Sequence, residues 1–461
     1  MKMCNKRYFL LGLVFFTQSF IGLLATDLPV FYRAPFFRSI HDAPSDWKTQ
    51  ATIRLGTGDT RQGWGLDDHH GALFSIYGAT DVTQLGFGLE DLATKPITNN
   101  YWKKNGTFNP DAPVDPSNPL NLKNKDGQVA FSGKLKVDDI ALTVKQTIFS
   151  GFYIQAYLPV RRIKIDQVTA TNLGAPTIAG GIVMADFLTT ADGLPEILRE
   201  NGYASFTTFK ESVFKKTETP EFLLSVGWQG QGDQEFGIVD KVRGFMQAGI
   251  IVPTGEKKNE DLLFAIPIGY NKFWGVNCQL GAEVAFWKFV VLGASAGTTM
   301  FFSEVRDIRM KTNSAQTGWF MLGKGMSKVD QGSMWDLTGY VKADHVVADL
   351  SFIAGYSFNR QEDTQLHVKD DKFLSTYVAQ QRALVPPVLV SKDSIVNSDK
   401  RLRGWNQHVL HLMAEYSAGP DAKSWFSPIV RFEYSYPIAG RRAFATDMLA
   451  GTLGLQVQWA I

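Results

Sequence analysis

Cysteine is nearly missing from this chain: Cys4 and Cys278 are the two among 461 residues. Cys4 falls inside a basic leader, which leaves Cys278 alone in the mature chain and excludes a disulfide framework. Charge is sparse as well, at 20% of residues, below the quarter usual for globular domains. The formal net charge is +2, and Lys2, Lys6 and Arg7 more than account for it. Without those three the chain is near neutral, which removes any general case for nucleic-acid binding. Beyond the leader, no stretch approaches the roughly 18 continuous apolar residues of a membrane helix. A mature chain of this kind can meet a membrane only through strands.

Ligand constellations are scarce too. Asp67-Asp68-His69-His70 offers metal-ligand types, but adjacent residues rarely converge on one ion and no spaced Cys or His set supports them. His408 and His411 would lie on opposite faces of a strand. Gly323-Lys324-Gly325 lacks the spacing of a phosphate loop. Ser351, His345 and Asp349 are near in sequence, yet a nucleophile, base and orienting group must share one face. No catalytic residue, metal or cofactor is expected.

What is abundant is aromatic residues, at 13%, and glycine, at 42 residues. This composition fits β structure with tight turns and interfacial girdles. Mean hydropathy is −0.10, which does not separate soluble proteins from barrels, because half of each barrel strand is polar.

Residues 1–25 read as an export signal, with Lys2, Lys6 and Arg7 as the positive region, Tyr8 to Phe16 as the apolar one, and a cut near Ala25. Residues 26–46 are rich in proline and aromatics and read as an irregular N-terminal arm, a possible plug. The remainder, 47–461, reads as the barrel, with an insertion at 56–127 that includes a weak helix at Asp81–Leu92. LPEILRENG (194–202) looks like a helix turn ended by glycine.

The decisive signal is alternation. In LAGTLGLQVQWAI, Leu453, Leu455, Val457, Trp459 and Ile461 share one face, while Thr452, Gly454, Gln456 and Gln458 share the other. From Trp274 to Phe286 seven apolar residues alternate with Gly275, Asn277, Gln279, Gly281, Glu283 and Ala285. Strands this long exceed the five or six residues typical of soluble sheets. Turns are expected at Asp138–Asp139, Ser150–Gly151, 287–288, 344–345 and 417–424. Long connections are expected at 253–272, 304–333 and 359–404. Short turns at one end and long loops at the other are the asymmetry of outer-membrane barrels. The reading is an all-β, closed antiparallel transmembrane β-barrel of about 12 strands, with 14 next, short periplasmic turns and long outer loops.

With that pattern in place, the chain resembles bacterial outer-membrane β-barrel proteins. The final strand carries the resemblance, together with VRGFMQAGIIVPTGE (242–256) followed by WGVNCQLGAEVAFWKFVVLGASAG (274–297). That unit is similar to those of channel families, some grouped with aromatic-compound or fatty-acid uptake. The resemblance implies outer-membrane lipid and the barrel-assembly machinery as partners and an unnamed small solute as cargo. One departure is that Ile461 stands where an aromatic residue is usual.

The candidate lumen-lining residues are Arg243, Gln247, Asn277, Gln279, Glu283, Lys342, Asp349, Arg431, Glu433, Gln456 and Gln458. Two readings stay open: a polar conduit whose charges set the field on a solute, and a packed lumen whose charges pair with one another. The expected function is an outer-membrane pore or passive small-solute transporter. The alternatives are a structural or adhesive surface barrel with a plugged lumen, and a soluble secreted β-sandwich protein.

Overall fold

The computed structural model describes residues 47–81, 128–174, 214–236, 238–287, 289–311, 318–321, 323–347, 349–369, 392–417 and 426–459, with isolated positions between 177 and 203. The signal at 1–25, the arm at 26–46 and nearly all of the expected helices at 81–92 and 194–202 lie outside these residues.

Twelve strands form a closed ring. They are β1 (Lys48–Thr60), β2 (Gln128–Thr147), β3 (Phe152–Asn172), β4 (Phe222–Phe236), β5 (Val239–Val252) and β6 (Gly275–Phe286), then β7 (Val290–Phe301), β8 (Met334–Val347), β9 (Leu350–Gln361), β10 (Trp405–Ser417), β11 (Phe426–Arg441) and β12 (Met448–Gln458). Every strand pairs antiparallel with its chain neighbours, and β1 also pairs with β12, Lys48 opposite Gln458, which closes the barrel. Closure satisfies the edge hydrogen bonds that an open sheet would leave bare in lipid.

Alternation sets the two faces. Ile53, Val226, Met246, Leu280, Leu292, Leu337, Phe352, Leu412, Phe432 and Leu453 are exposed on the outside, several of them by more than half. A continuous apolar belt of this extent far exceeds the few hundred Å² that a soluble surface tolerates, so lipid covers it. The β-sandwich alternative fails here, because the apolar faces look outward instead of into a core between two sheets. Trp47, Phe149, Trp287, Phe289 and Trp459 flank the belt at one end, and Trp274 and Phe302 at the other, as interfacial girdles do. Trp405, at the start of β10, points inward; it is buried, and its indole N–H donates to Gln361 Oε1 at 2.7 Å. The chain is a transmembrane β-barrel, and no helix among the described residues is long and apolar enough to cross a membrane.

Connections 148–151, 237–238, 287–289 and 348–349 are short and lie at one end. The longer connections, between β1 and β2, β3 and β4, β5 and β6, β7 and β8, and β9 and β10, leave and rejoin the barrel at the other end. Two expected turns are corrected. Asp138 and Asp139 lie inside β2, which runs unbroken for 20 residues. Asp344 and His345 lie inside β8, and the chain reverses at 348–349. Asp139 is polar because it faces Arg161 and Arg54, whereas at Asp344–His345 the strand bulges, with His345 at φ 48°, just before the chain reverses.

The described parts of the long connections fold into a cap. A short 3-10 turn, Leu73–Tyr77, packs with Val129, Phe131 and Leu135 of β2, Ile163 and Ile165 of β3, and Phe264, Trp319 and Phe320 from the loops. The Phe74 ring lies 4.5 Å from Phe264 and 4.9 Å from Trp319, and the Trp319 indole N–H donates to the Phe74 carbonyl at 2.8 Å. The stretch 304–333, expected to be a polar connection, contains a hairpin of Glu304–Met310 and Gly323–Asp330, joined by Gln365–Val368 into a three-stranded sheet. A second cluster joins Ile308, Val329 and Leu366 of this sheet to Phe273, Val396 and Leu402.

Candidate functional site

The inner wall of the barrel is built from the polar half of each strand. The chain Tyr153–Gln247–Gln279 spans four strands, from β3 across β4 to β5 and β6: Tyr153 Oη donates to Gln247 Oε1 at 3.1 Å, and Gln247 Nε2 donates to Gln279 Oε1 at 2.8 Å. Asn277 Nδ2 donates to Thr299 Oγ1 at 2.8 Å. Arg243 Nε donates to Gln231 Oε1 at 3.1 Å, and its guanidinium lies 3.8 Å from Glu283, which also accepts from the Tyr340 hydroxyl.

The other side of the wall carries paired charges. Lys342 Nζ lies 2.8 Å from Asp344 and 3.6 Å from Glu415, and Arg431 Nε donates to Glu415 Oε2 at 2.8 Å. A longer chain starts at Ser357, whose Oγ lies 2.8 Å from His411 Nε2. It continues from His411 Nδ1 to Ser435 Oγ at 2.9 Å, and Ser435 donates to Glu433 Oε1 at 2.9 Å. Arg54 then links Glu433 and Asp139, each at 3.4 Å, and Arg161 Nε donates to Asp139 Oδ1 at 2.9 Å. Burying charges is costly unless each has a partner, and here cations and carboxylates alternate along the wall.

Of the sequence candidates, Gln247, Asn277, Glu283, Lys342 and Glu433 are buried on the inner row, with Arg243, Gln279, Arg431 and Gln456 half-buried there. Asp349 sits in the β8–β9 turn with φ at 65°, its carbonyl accepting from Ser417 N–H, and Gln458 is exposed at the end of β12. Sequence reasoning missed Arg54, Asp139, Arg161, His411 and Glu415. Reading Asp138–Asp139 as a turn hid the pairing of Asp139, although the parity of Ile53 and Leu55 already placed Arg54 on the opposite face.

Inner-row glycines define how the wall side chains lie. Tyr153 lies over Gly227, Phe245 over Gly281 and Tyr340 over Gly293, each on the neighbouring strand and in direct register. A Cβ at any of these glycines would overlap the ring. The aromatic residues therefore lie flat along the wall, covering the bare backbone of the next strand, a pairing that also pins register.

The wall changes above this level. Tyr270, brought in by the 253–274 connection, packs with Ala141, Tyr157, Leu223 and Ile251, and Phe301 and Met334 join them. These residues come from β2 to β5 and from β7 and β8, so the cluster links opposite walls. Gly269 (φ +66°) turns the connection against Glu221 and Pro220, where a Cβ would collide with both.

In the cap, Arg309 donates from Nε to the Glu260 carbonyl at 2.8 Å and from Nη2 to Asp261 at 3.0 Å, and stacks 3.7 Å above the Tyr203 ring. Arg442 is fully enclosed and donates to the Arg401 and Gly404 carbonyls. Burial pulls its guanidinium down to about 10, against the opposing pull of Tyr77, Asp399 and Asp363. It therefore stays charged at neutral pH.

The residues weighed for chemistry do not assemble. Ser351 is buried and its hydroxyl donates to Asp344 at 2.9 Å, while His345 contacts the same carboxylate. No imidazole accepts the Ser351 proton. Asp67 to His70 are exposed, and no metal-ligating group of three is present among the described residues. His408 faces outward beside Tyr356, whereas His411 faces inward. Cys278 lies half-buried in the outward row.

No family model and no curated protein matches the chain. Among solved structures it is similar to the COG4313 outer membrane channel from Pseudomonas putida F1, with TM-score 0.46 and 7% identity over 90% of this chain and 98% of that one. It is also similar to the translocator domain of autotransporter NalP from Neisseria meningitidis, with TM-score 0.33 and 10% identity over 91% and 90%. A Pseudomonas aeruginosa FadL homologue gives TM-score 0.30 and 11% identity over 90% and 91%. The strand register and the outward belt establish the barrel independently of these likenesses.

Proposed function

We propose that the barrel is a passive conduit for small polar solutes across the outer membrane. The observation that carries this reading is the flat packing of Tyr153, Phe245 and Tyr340 over inner-row glycines. A lumen filled for stability alone would send its large side chains toward the axis; these run along the wall. The alternation of cations and carboxylates, as in Arg431–Glu415–Lys342, leaves a weak net field, which suits neutral or zwitterionic solutes better than a single ion type. The amides of Gln247, Gln279 and Asn277 supply donors and acceptors without net charge. Barrel-assembly machinery is proposed as the partner during biogenesis.

A second reading, a plugged structural barrel, is favoured by the Tyr270 cluster that joins opposite walls. The two readings separate in liposome swelling with uncharged sugars and amino acids. Size-dependent swelling by the reconstituted full chain supports the conduit. Permeability no greater than that of protein-free liposomes, for the wild type and for a Tyr270→Ala variant alike, sinks it.

A further inference from the structure

The outward faces of β2 and β3 change character at a single height. Ile140 pairs with Val160, and both look out into the apolar belt. One step up, Asp138 pairs with Arg162, and beyond them Lys136 pairs with Lys164. The row continues sideways: Asp59 of β1 opposes Lys136, and Lys164 opposes Lys215 in the short strand Phe214–Glu218. On the other face the change is reversed, because Val137 pairs with Ile163 and Leu135 with Ile165, all buried in the cap core. That core fixes which face looks out, so Lys134, Lys136, Arg162, Lys164 and Lys215 are held on the outside, immediately beyond the lipid belt and on the side of the long loops.

Three carboxylates share this sector. Lys134 lies 2.7 Å from Asp59, Lys136 lies 3.7 Å from Asp138, and Lys164 lies 2.5 Å from Asp166. All of these lysines are at least about one-third exposed, and such surface pairs are weak and readily exchanged. Arg162 and Lys215 are exposed and have no carboxylate partner among the described residues. The sector is therefore a net cationic platform, at headgroup depth, across four adjacent strands.

The geometry points to a docking surface for the phosphorylated headgroup of an outer-leaflet glycolipid, with its acyl chains on Leu55, Ile140, Leu142 and Leu158 below. Each part of the platform suits that ligand. The apolar rows end where acyl chains must end, and the guanidinium of Arg162 offers the forked N–H geometry that phosphate oxygens accept. Lys136, Lys164 and Lys215, on adjacent strands about 4.8 Å apart, present point charges to further phosphate oxygens. Basic side chains at a membrane surface add attraction for anionic headgroups in this way. Nothing in this depends on whether the lumen conducts.

The test uses the full-length barrel in detergent, incubated with bisphosphorylated lipid A or with the same lipid stripped of its phosphates, then gel-filtered and assayed for retained lipid. The expected result is at least about fivefold greater retention of the phosphorylated lipid, falling as salt rises. Retention should drop to the stripped-lipid level in a combined Lys136→Gln, Arg162→Gln, Lys164→Gln and Lys215→Gln variant. Heat-modifiable migration reports whether that variant is folded. Should it fail to fold, the exposed Arg162→Gln and Lys215→Gln single variants each lower retention. Equal retention of both lipids overturns the assignment, as does retention unchanged in the folded variants. Full displacement by millimolar inorganic phosphate or by an acidic soluble protein also overturns it, in favour of a free-anion or protein surface.

Discussion

Arg54 on β1 and Glu433 on β11 meet across β12: the guanidinium Nε lies 3.4 Å from Glu433 Oε2, although a whole strand runs between them. The side chain at that height on β12 is Ala450, opposite both Gly56 and Glu433. A small residue there leaves the path open, and Arg54 reaches Asp139 on its other side.

This pairing should be felt on truncation. Arg54→Gln leaves Glu433 and Asp139 without their shared cation, and removing one partner of a buried pair costs about 3 kcal/mol. The midpoint of heat-modifiable migration should fall clearly in this variant. An Arg54→Met/Glu433→Gln double variant should recover part of the loss. Equal midpoints for wild type and Arg54→Gln would remove the pair from any role in wall stability.

Gly293→Val should push the Tyr340 ring off the wall, because a Cβ there overlaps it. Tyr340 then loses its bond to Glu283 and turns toward the axis. The expected cost is about 1–3 kcal/mol of overpacking, together with a smaller single-channel conductance. Gly339→Val serves as the control: it faces outward with open space around it and should leave conductance unchanged.

Tyr270→Ala should enlarge solute flux, since Tyr270 is the loop-borne member of the cluster that joins opposite walls. Swelling rates for larger sugars should rise at least severalfold while strand content by circular dichroism stays constant. A variant whose rates match the wild type would place the limiting constriction elsewhere.

Acid should loosen the cap before the barrel. Burial alone would push the Asp363 carboxyl up, but the Gly404 N–H and the Arg403 guanidinium outweigh it and hold the group below its ordinary range. Asp261 is likewise depressed: a burial effect that raises it is overcome by Lys324 and Arg309. Glu304 is held down by Lys257 and Arg306 against burial. A depressed carboxyl contributes stability above its unfolded pKa and loses it as pH falls through the folded value. The cap should therefore weaken only below the usual carboxylate range, near pH 4 and under. Trp319, buried in the cap, reports this by fluorescence, with a red shift expected while heat-modifiable migration persists. A spectrum unchanged down to about pH 3 would count against these carboxyls as cap fasteners.

Much of the wall was legible because strand parity is a property of the sequence. The rows from Trp274 to Phe286 and from Leu449 to Leu455 have one apolar face along their whole length, and the structure turns that face outward. β2 shows where this reasoning stops. Val129 to Val137 and Ile140 to Val144 read as one apolar run interrupted by Asp138–Asp139, but they lie on opposite faces of an unbroken strand. The strand leaves the membrane at that point, so the apolar side switches from lipid to cap core. A local pattern cannot distinguish that switch from a turn, since both break the period with a polar pair. The inner-wall ion pairs were opaque for a related reason. Arg54 lies 379 positions from Glu433, and only closure of the ring makes them neighbours.

The amino-acid sequence by itself determined that this chain is built of membrane-length strands with one greasy and one polar side, because a period of two is written residue by residue. Tertiary structure decided what each side meets. Ring closure set which charges neutralise one another, and the inward folding of the outer loops set where the apolar face turns from lipid to protein, since both depend on contacts between segments far apart in the chain.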